Sequence, residues 1–333
     1  MARRIGMAAL MFALAGAPVA GQAAGVGYTA MFVFGDSLSD NGNAYDSTFG
    51  IIPAPPYADG PFSNGPVYAD YMAGRLGLPL DNLLSGGTNY AFGGAGTDFS
   101  VPEVLGANPL SVENQVNLFQ AQQLFSGADP GALYIVYAGG NNLQRGIDLA
   151  AAAPADAAAI RQATAREAAA DIIGMIDLLH RTGAQHFLVP NAAPLGAAPT
   201  NAAVGALATS FAIEFNTQLA AGVASLSGPG VALFDTFGFS ERVFADPAAF
   251  GFADVSNPCL TGATFLGGGT VCSEPDLHLF WDDLHLTTAA YLTLADAMLG
   301  ALEQPAPHSM PIPGALYLFG AALAVLAAMP RLR

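Results

Sequence analysis

Met31-Phe32-Val33-Phe34-Gly35-Asp36-Ser37-Leu38-Ser39-Asp40-Asn41-Gly42-Asn43 is the stretch on which the fold turns. Its first four residues are apolar and read as a short, fully buried strand. The run stops at Gly35, and small polar residues follow. Parallel sheets bury both faces of their strands and keep their ligands just past the carboxyl ends. Ser37 stands at such a place. The same residues also suit a plain turn and helix cap, for which Asp, Ser and Asn are ordinary choices. What separates the two readings is whether the rest of the chain supplies a base and a site for an oxyanion.

Outward from this stretch, short apolar runs recur. Leu133-Tyr134-Ile135-Val136-Tyr137 is the most strand-like and ends in Ala138-Gly139-Gly140-Asn141-Asn142. His186 to Pro190 and Val231 to Phe234 are further strands, and Asn89 to Phe92 is a strand ending in glycines. Helical spacing predicts helices over 67–76 (Val67, Tyr71 and Leu76 inward), 112–125 (Val116, Phe119 and Leu124 inward), 155–181 (Ile172, Ile173, Ile176 and Leu179 inward), 207–226, and from about Thr287 to Leu302. Residues 46–65 and 191–200 are rich in Pro, Gly and Asn and read as loops. Strand, loop, helix and strand in alternation predict an α/β fold with a parallel sheet flanked by helices. Turns after Gly35, Gly93 and Gly139 fall at its ligand-bearing end.

The chain has 333 residues, 53% of them apolar, enough for a sizeable core. Twenty-six acidic residues face ten basic ones, all arginine. Such a surface repels phosphate backbones and argues against nucleic acid as a partner. The two ends differ in kind. Residues 1–24 read as a secretory signal: Arg3-Arg4, an apolar run, then small residues at Ala20, Gly21 and Ala23. Residues 305–313 read as a Pro-rich linker, and 314–333 as a charge-free segment closed by arginines. The uncharged run, Gly314 to Met329, is sixteen residues and marginal against the about 20 that a transmembrane span needs. Met310-Pro311-Ile312-Pro313, the apolar run and the terminal arginines resemble the PEP-CTERM sorting signal of Gram-negative bacteria. The resemblance implies export, transient anchoring in the inner membrane and release by a sorting protease to the cell surface or beyond. The alternative is a permanent anchor. Cys259 and Cys272 suit an exported chain and are expected to form a disulfide, with two free thiols as the alternative. Closing so short a loop contributes about 3 kcal/mol in the chain-entropy model.

A serine hydrolase needs a base, an acid to orient it, and donors for the oxyanion. His308 lies in the linker, and His180 and His186 flank a helix end and a strand start. Asp282-Asp283-Leu284-His285 is more promising, because a carboxylate three residues before an imidazole can face it. His278 lies close by, and Asp283 competes with Asp282. A metal site built from these Asp and His residues is a rival reading, and an N-cap for the last helix at Asp282 or Asp283 is a compatible one.

With these residues assembled, Gly35 to Asn43 resembles the nucleophile block of the GDSL lipases and esterases, the SGNH hydrolase superfamily. Asn89 to Ala95 resembles the second block, Gly139 to Asn142 the third, and Asp282 to His285 the last, in family order. The resemblance implies a three-layer α/β/α domain with a flavodoxin-like parallel sheet over residues 25–304. It implies Ser37 as nucleophile, His285 as base, Asp282 as orienting acid, and Ser37, Gly94 and Asn141 as oxyanion donors, with no metal or cofactor. Asp36, Ser39 and Asn43 would shape the turn. Two positions depart from the pattern. Asn142 stands where the family has Asp, which concerns support of the loop near Asn141. Leu286 stands where the family has Pro, which concerns only the start of the following helix.

The expected activity is ester hydrolysis through an acyl-enzyme, on a small-molecule or lipid ester. Apolar loops at 44–66 and 240–275 would hold the acyl chain. A phospholipase, acyltransferase or sugar-ester deacetylase on the same triad is the alternative, as is a surface protein that keeps the fold without activity.

Overall fold

The computed structural model describes residues 27–98 and 110–303. The expected signal, linker and sorting segment lie outside them. Four strands form a parallel sheet in the order β1 (Met31–Gly35), β2 (Leu133–Tyr137), β3 (His186–Pro190) and β4 (Gly230–Phe234). Val33 lies opposite Ile135, Leu133 opposite His186, and His186 opposite Gly230.

Side chains alternate across the sheet, as a period of two requires. Phe34, Tyr134, Val136, Phe187 and Val189 enter one core, with helices α3 (Val112–Gln122), α4 (Gly140–Ala152), α5 (Ala157–Thr182) and α6 (Gly205–Ser225). Val33, Ile135 and Leu188 enter the other, with α2 (Tyr68–Leu76), α7 (Thr236–Ala245) and α8 (Thr288–Glu303). The result is three layers. Phe119 of α3 is fully buried among Phe32, Phe34, Tyr90 and Tyr134. Truncating such a ring to alanine costs about 3–5 kcal/mol.

The strand expected at 89–92 is an edge segment without a continuous ladder. Val33 donates to Thr88 O, Tyr90 donates to Val33 O at 2.8 Å, and Phe92 donates to Gly35 O at 3.2 Å. Asn89 instead spends its side chain on the turn after β1, donating to Ser39 O and Asn41 Oδ1. Counting this segment as the second strand in chain order, β1 lies between it and β2, the flavodoxin-like order. The crevice where strand order reverses therefore opens between the ends of β1 and β2.

Several helix faces differ from expectation. In α2 the buried residues are Tyr68, Ala69, Met72 and Ala73, while Tyr71 and Leu76 are half-buried. Leu124 lies past the end of α3 and is 72% exposed. Ile173 is half-buried beside the fully buried Ile172, Ile176 and Leu179. Helices α4 and α7, short α1 (Asn43–Ser47) and the two-residue strands β5 (Leu260–Thr261) and β6 (Thr270–Val271) stand where loops were expected or nothing was. Among the described residues no helix is long and apolar enough to cross a membrane.

Candidate active site

The turn after β1 is locked from several sides. Gly35 exchanges two hydrogen bonds with the buried amide of Gln115 on α3, each 2.9 Å. A Cβ at Gly35 would lie 2.4 Å from the carbonyl oxygen of Tyr137, so β1 and β2 can meet this closely only with glycine there. Asp36 Oδ1 accepts from Leu38 N–H at 3.0 Å. Asp40 accepts from the N–H groups of Gly42, Asn43, Ala44 and Gly93. Ser39 Oγ bonds Tyr68 OH, and Asn43 donates to Asn89 O and Ala91 O. Asp36, Ser39 and Asn43 thus do the turn-shaping work read from sequence. Burial pushes Asp36 up to about 6, against the Leu38 N–H and the nearby His285 ring, which favour the carboxylate. It pushes Asp40 to about 6 as well, against four backbone donors.

Ser37 emerges from this turn. Its Oγ lies 2.8 Å from His285 Nε2, and His285 Nδ1 lies 2.8 Å from Asp282 Oδ2. A carboxylate only accepts, so Nδ1 carries the imidazole proton and the Nε2 lone pair faces the serine hydroxyl. Asp282 Oδ1 accepts from Leu284 N–H at 2.8 Å and His285 N–H at 2.6 Å, which folds this short turn around its own carboxylate. Burial works against the charge of Asp282. The His285 ring and these backbone donors outweigh it and hold the carboxyl well below the usual range. Asp282 is therefore not a helix cap. That role falls to Thr287, whose Oγ1 accepts from Ala290 N–H at 3.2 Å as α8 begins. Asp283 places its carbonyl on Thr200 N–H, and His278 Nδ1 lies 3.2 Å from Asn257 O. Neither joins the Ser37 chain.

Three residues of this arm were not foreseen. Tyr57 donates to Asp282 Oδ2 at 2.8 Å. Burial, then the Asp282 carboxylate, pushes its hydroxyl far above the ordinary tyrosine range, so it stays a donor. Phe62 stacks on the His285 ring at 5.4 Å between centroids, and Phe265 meets that ring edge-on at 5.9 Å. Phe62 also covers Gly93 so closely that a Cβ there would lie 2.3 Å from its ring. Phe265 belongs to the β5–β6 hairpin, where Cys259 and Cys272 are joined with their Cα atoms 4.9 Å apart. Leu260 and Cys259 donate to Trp281 O and Phe280 O, which fastens the hairpin to the residues just before Asp282. The sequence signal for this support was slight: aromatic residues inside long loops rich in Pro and Gly.

Asn141 lines the same cleft as Ser37, and one of its amide hydrogens goes to Ala95 O at 2.9 Å. Gly94 (φ 79°) lies between Gly93, bonded to Asp40, and Ala95. The cleft takes in about 1040 Å³, part of it open to solvent. Its walls are mainly apolar: Leu195, Phe239, Val243, Phe244, Phe252, Leu279, Phe280, Leu284, Leu286 and Leu294. From the 240–275 stretch Ser240, Val243, Phe244 and Phe252 line it, the first three on helix α7 where a loop was expected. The 44–66 loop does not line the cleft; it buttresses Asp282 and His285 instead. Among the described residues no group of three or more His, Cys, Asp or Glu side chains is arranged to hold a metal ion.

The model of the GDSL-like lipase/acylhydrolase family matches residues 31–298. The chain belongs to this family. Its chemistry is ester hydrolysis. GDSL esterase/lipase 6 of Arabidopsis thaliana is 27% identical over 81% of this chain and 85% of its own length. Esterase EstA of Pseudomonas aeruginosa is 28% identical over 90% of this chain and 50% of its own. A plant relative named inactive GDSL esterase/lipase-like protein 25 is 26% identical over 81% of this chain. A solved GDSL-family lipolytic protein from Veillonella parvula aligns with 81% of this chain and 96% of its own at a TM-score of 0.43 and 14% identity.

Proposed function

We propose that this GDSL hydrolase cleaves carboxylic esters of apolar acyl groups through an acyl-enzyme on Ser37. The observation that carries the reading is the unbroken hydrogen-bond chain Asp282–His285–Ser37 at the mouth of an apolar cleft. Ser37 Oγ attacks the ester carbonyl carbon as His285 Nε2 takes its proton. The carbonyl oxygen becomes an oxyanion, received by the N–H groups of Ser37 and Gly94 and the free amide hydrogen of Asn141. Collapse expels the alkoxide, which takes the proton from His285 and leaves as alcohol. Water, deprotonated by the same nitrogen, then frees the acid.

The cleft favours acyl esters over sugar acetates, because an acetyl group would leave most of its apolar wall in contact with water. Fluorophosphonate labelling tests the nucleophile: Ser37 takes the probe and Ser37→Ala does not. A panel of esters of graded acyl length tests the cleft, with kcat/KM expected to rise beyond acetyl. A maximum at acetyl would return the deacetylase reading. Absence of both labelling and turnover in the intact protein would point to a non-catalytic role.

The two chain ends support export and sorting of the hydrolase domain 25–304 by the host bacterium. Intact-mass measurement of the released protein is expected to show loss of residues after about Pro313, and retention of Arg333 would favour a permanent anchor.

A further inference from the structure

Two consecutive residues at the start of α4 reach back to the loop that follows the edge segment. Asn141 donates to Ala95 O at 2.9 Å. Asn142 Oδ1 accepts from Thr97 N–H at 2.9 Å, and its Nδ2 donates to Thr97 Oγ1 at 2.8 Å. Thr97 Oγ1 in turn donates to Asp171 Oδ2 on α5 at 2.5 Å. Thr97 is fully buried and Asn142 nearly so.

The directions of these bonds are forced. An ionised carboxylate has no proton to give, so the single Thr97 hydroxyl proton goes to Asp171. The Thr97 oxygen must then receive from Asn142, which fixes the flip of that amide and turns its Oδ1 toward Thr97 N–H. An aspartate in place of Asn142 would set two carboxylates against one hydroxyl proton. Asn142 and Asp171 are thus a matched pair in this chain, an amide that donates at one end of the relay and a carboxylate that accepts at the other.

We propose that Asp171, acting through Thr97 and Asn142, is a positioning residue for the oxyanion site. It holds the loop that carries Gly94 against α4, where Asn141 stands, so that both donors keep one geometry. This rests on the reading of Ser37 as nucleophile. Donors aimed at an oxyanion act on the transition state and little on substrate binding, so their misplacement falls on kcat.

The test is a reciprocal swap, assayed with p-nitrophenyl butyrate at pH 8 alongside melting temperature. Asn142→Asp is expected to lower kcat about tenfold or more with KM within about twofold. Adding Asp171→Asn reverses the side-chain relay: the new amide on α5 can donate to the Thr97 hydroxyl, and that hydroxyl can donate to the new carboxylate on α4. In this double variant kcat should return to within about threefold of wild type. Thr97→Val keeps the backbone bond to Asn142 and removes the hydroxyl. It should lower kcat as well, and it decides the matter if Asn142→Asp does not fold. Wild-type kcat in Asn142→Asp or in Thr97→Val, a loss confined to KM, or a double variant no better than the single overturns the proposal. Ser37→Ala run beside them separates the two claims. Turnover retained there overturns the nucleophile and this inference together. An inactive Ser37→Ala with an unaffected Asn142→Asp overturns this inference alone.

Discussion

Ser37 leaves the end of strand β1, between the edge segment and β2, while Asp282 and His285 stand on a turn just before α8. On the first side the support is sheet and buried polar side chains: Gln115 on Gly35, Asp40 on four N–H groups, Asn43 on the edge segment. On the second it is a long loop and a disulfide-closed hairpin, meeting the turn through Tyr57, Phe62 and Phe265. The nucleophile is placed by the fold itself. The base and its acid are placed by the loop and hairpin that pack against them. Damage to the loops should therefore lower activity while the sheet persists, whereas damage to the β1 turn should affect both.

The largest effect expected is on chemistry alone. Ser37→Ala should lower kcat about 10⁴-fold or more with melting temperature nearly unchanged, and His285→Ala should lower kcat as far while the fold survives. Near-wild-type turnover in His285→Ala would move the base elsewhere and dissolve the comparison. Next comes the hairpin. Replacing Cys259 and Cys272 together by alanine should cost about 3 kcal/mol in urea unfolding and lower kcat below the transition. Activity lost only at the unfolding midpoint would mean that the hairpin stabilises without positioning His285. Tyr57→Phe comes third. It removes one donor from a carboxylate that keeps three others, at about 1–2 kcal/mol across stability and kcat/KM combined. A full loss of activity would make Tyr57 part of the chemistry.

The last test addresses the sheet side through pH and reads a slope rather than a loss. The Asp36 carboxyl sits at about 6 when folded, against about 3.9 in an unfolded chain. Between these values the folded state holds the extra proton, so this group's contribution to stability falls as pH rises from about 4 to 6. The contribution is on the order of 1–3 kcal/mol, and Asp36→Asn should flatten that part of the profile. An unchanged slope in Asp36→Asn would assign the titration to Asp40 or Asp70, both also near 6.

The same division explains what was legible in the sequence. Strands β1 to β4 are short apolar runs and could be read directly. So could Ser37, Asp282 and His285, because local motifs carry them and the structure brings the three together. Helix α4 was hidden because its first turn is Gly140-Asn141-Asn142, residues that read as a loop until tertiary bonds to Ala95 and Thr97 hold them. Helix α7 was hidden by its phenylalanines and glycine inside a Pro-rich stretch. The edge segment reads as a strand by composition, yet its pairing ends at the glycine turn. Tyr57 could not be paired with Asp282 from sequence, since 225 positions separate them and neither lies in a periodic pattern.

That separation has a kinetic consequence. The Tyr57–Asp282 bond closes 225 positions of the 333-residue chain into one loop, and contacts of such high order form late because the entropy of closure precedes their reward. During refolding, helical circular dichroism should therefore recover before fluorophosphonate reactivity does. For this chain, reactivity at Ser37 reports completion of the fold more faithfully than secondary structure.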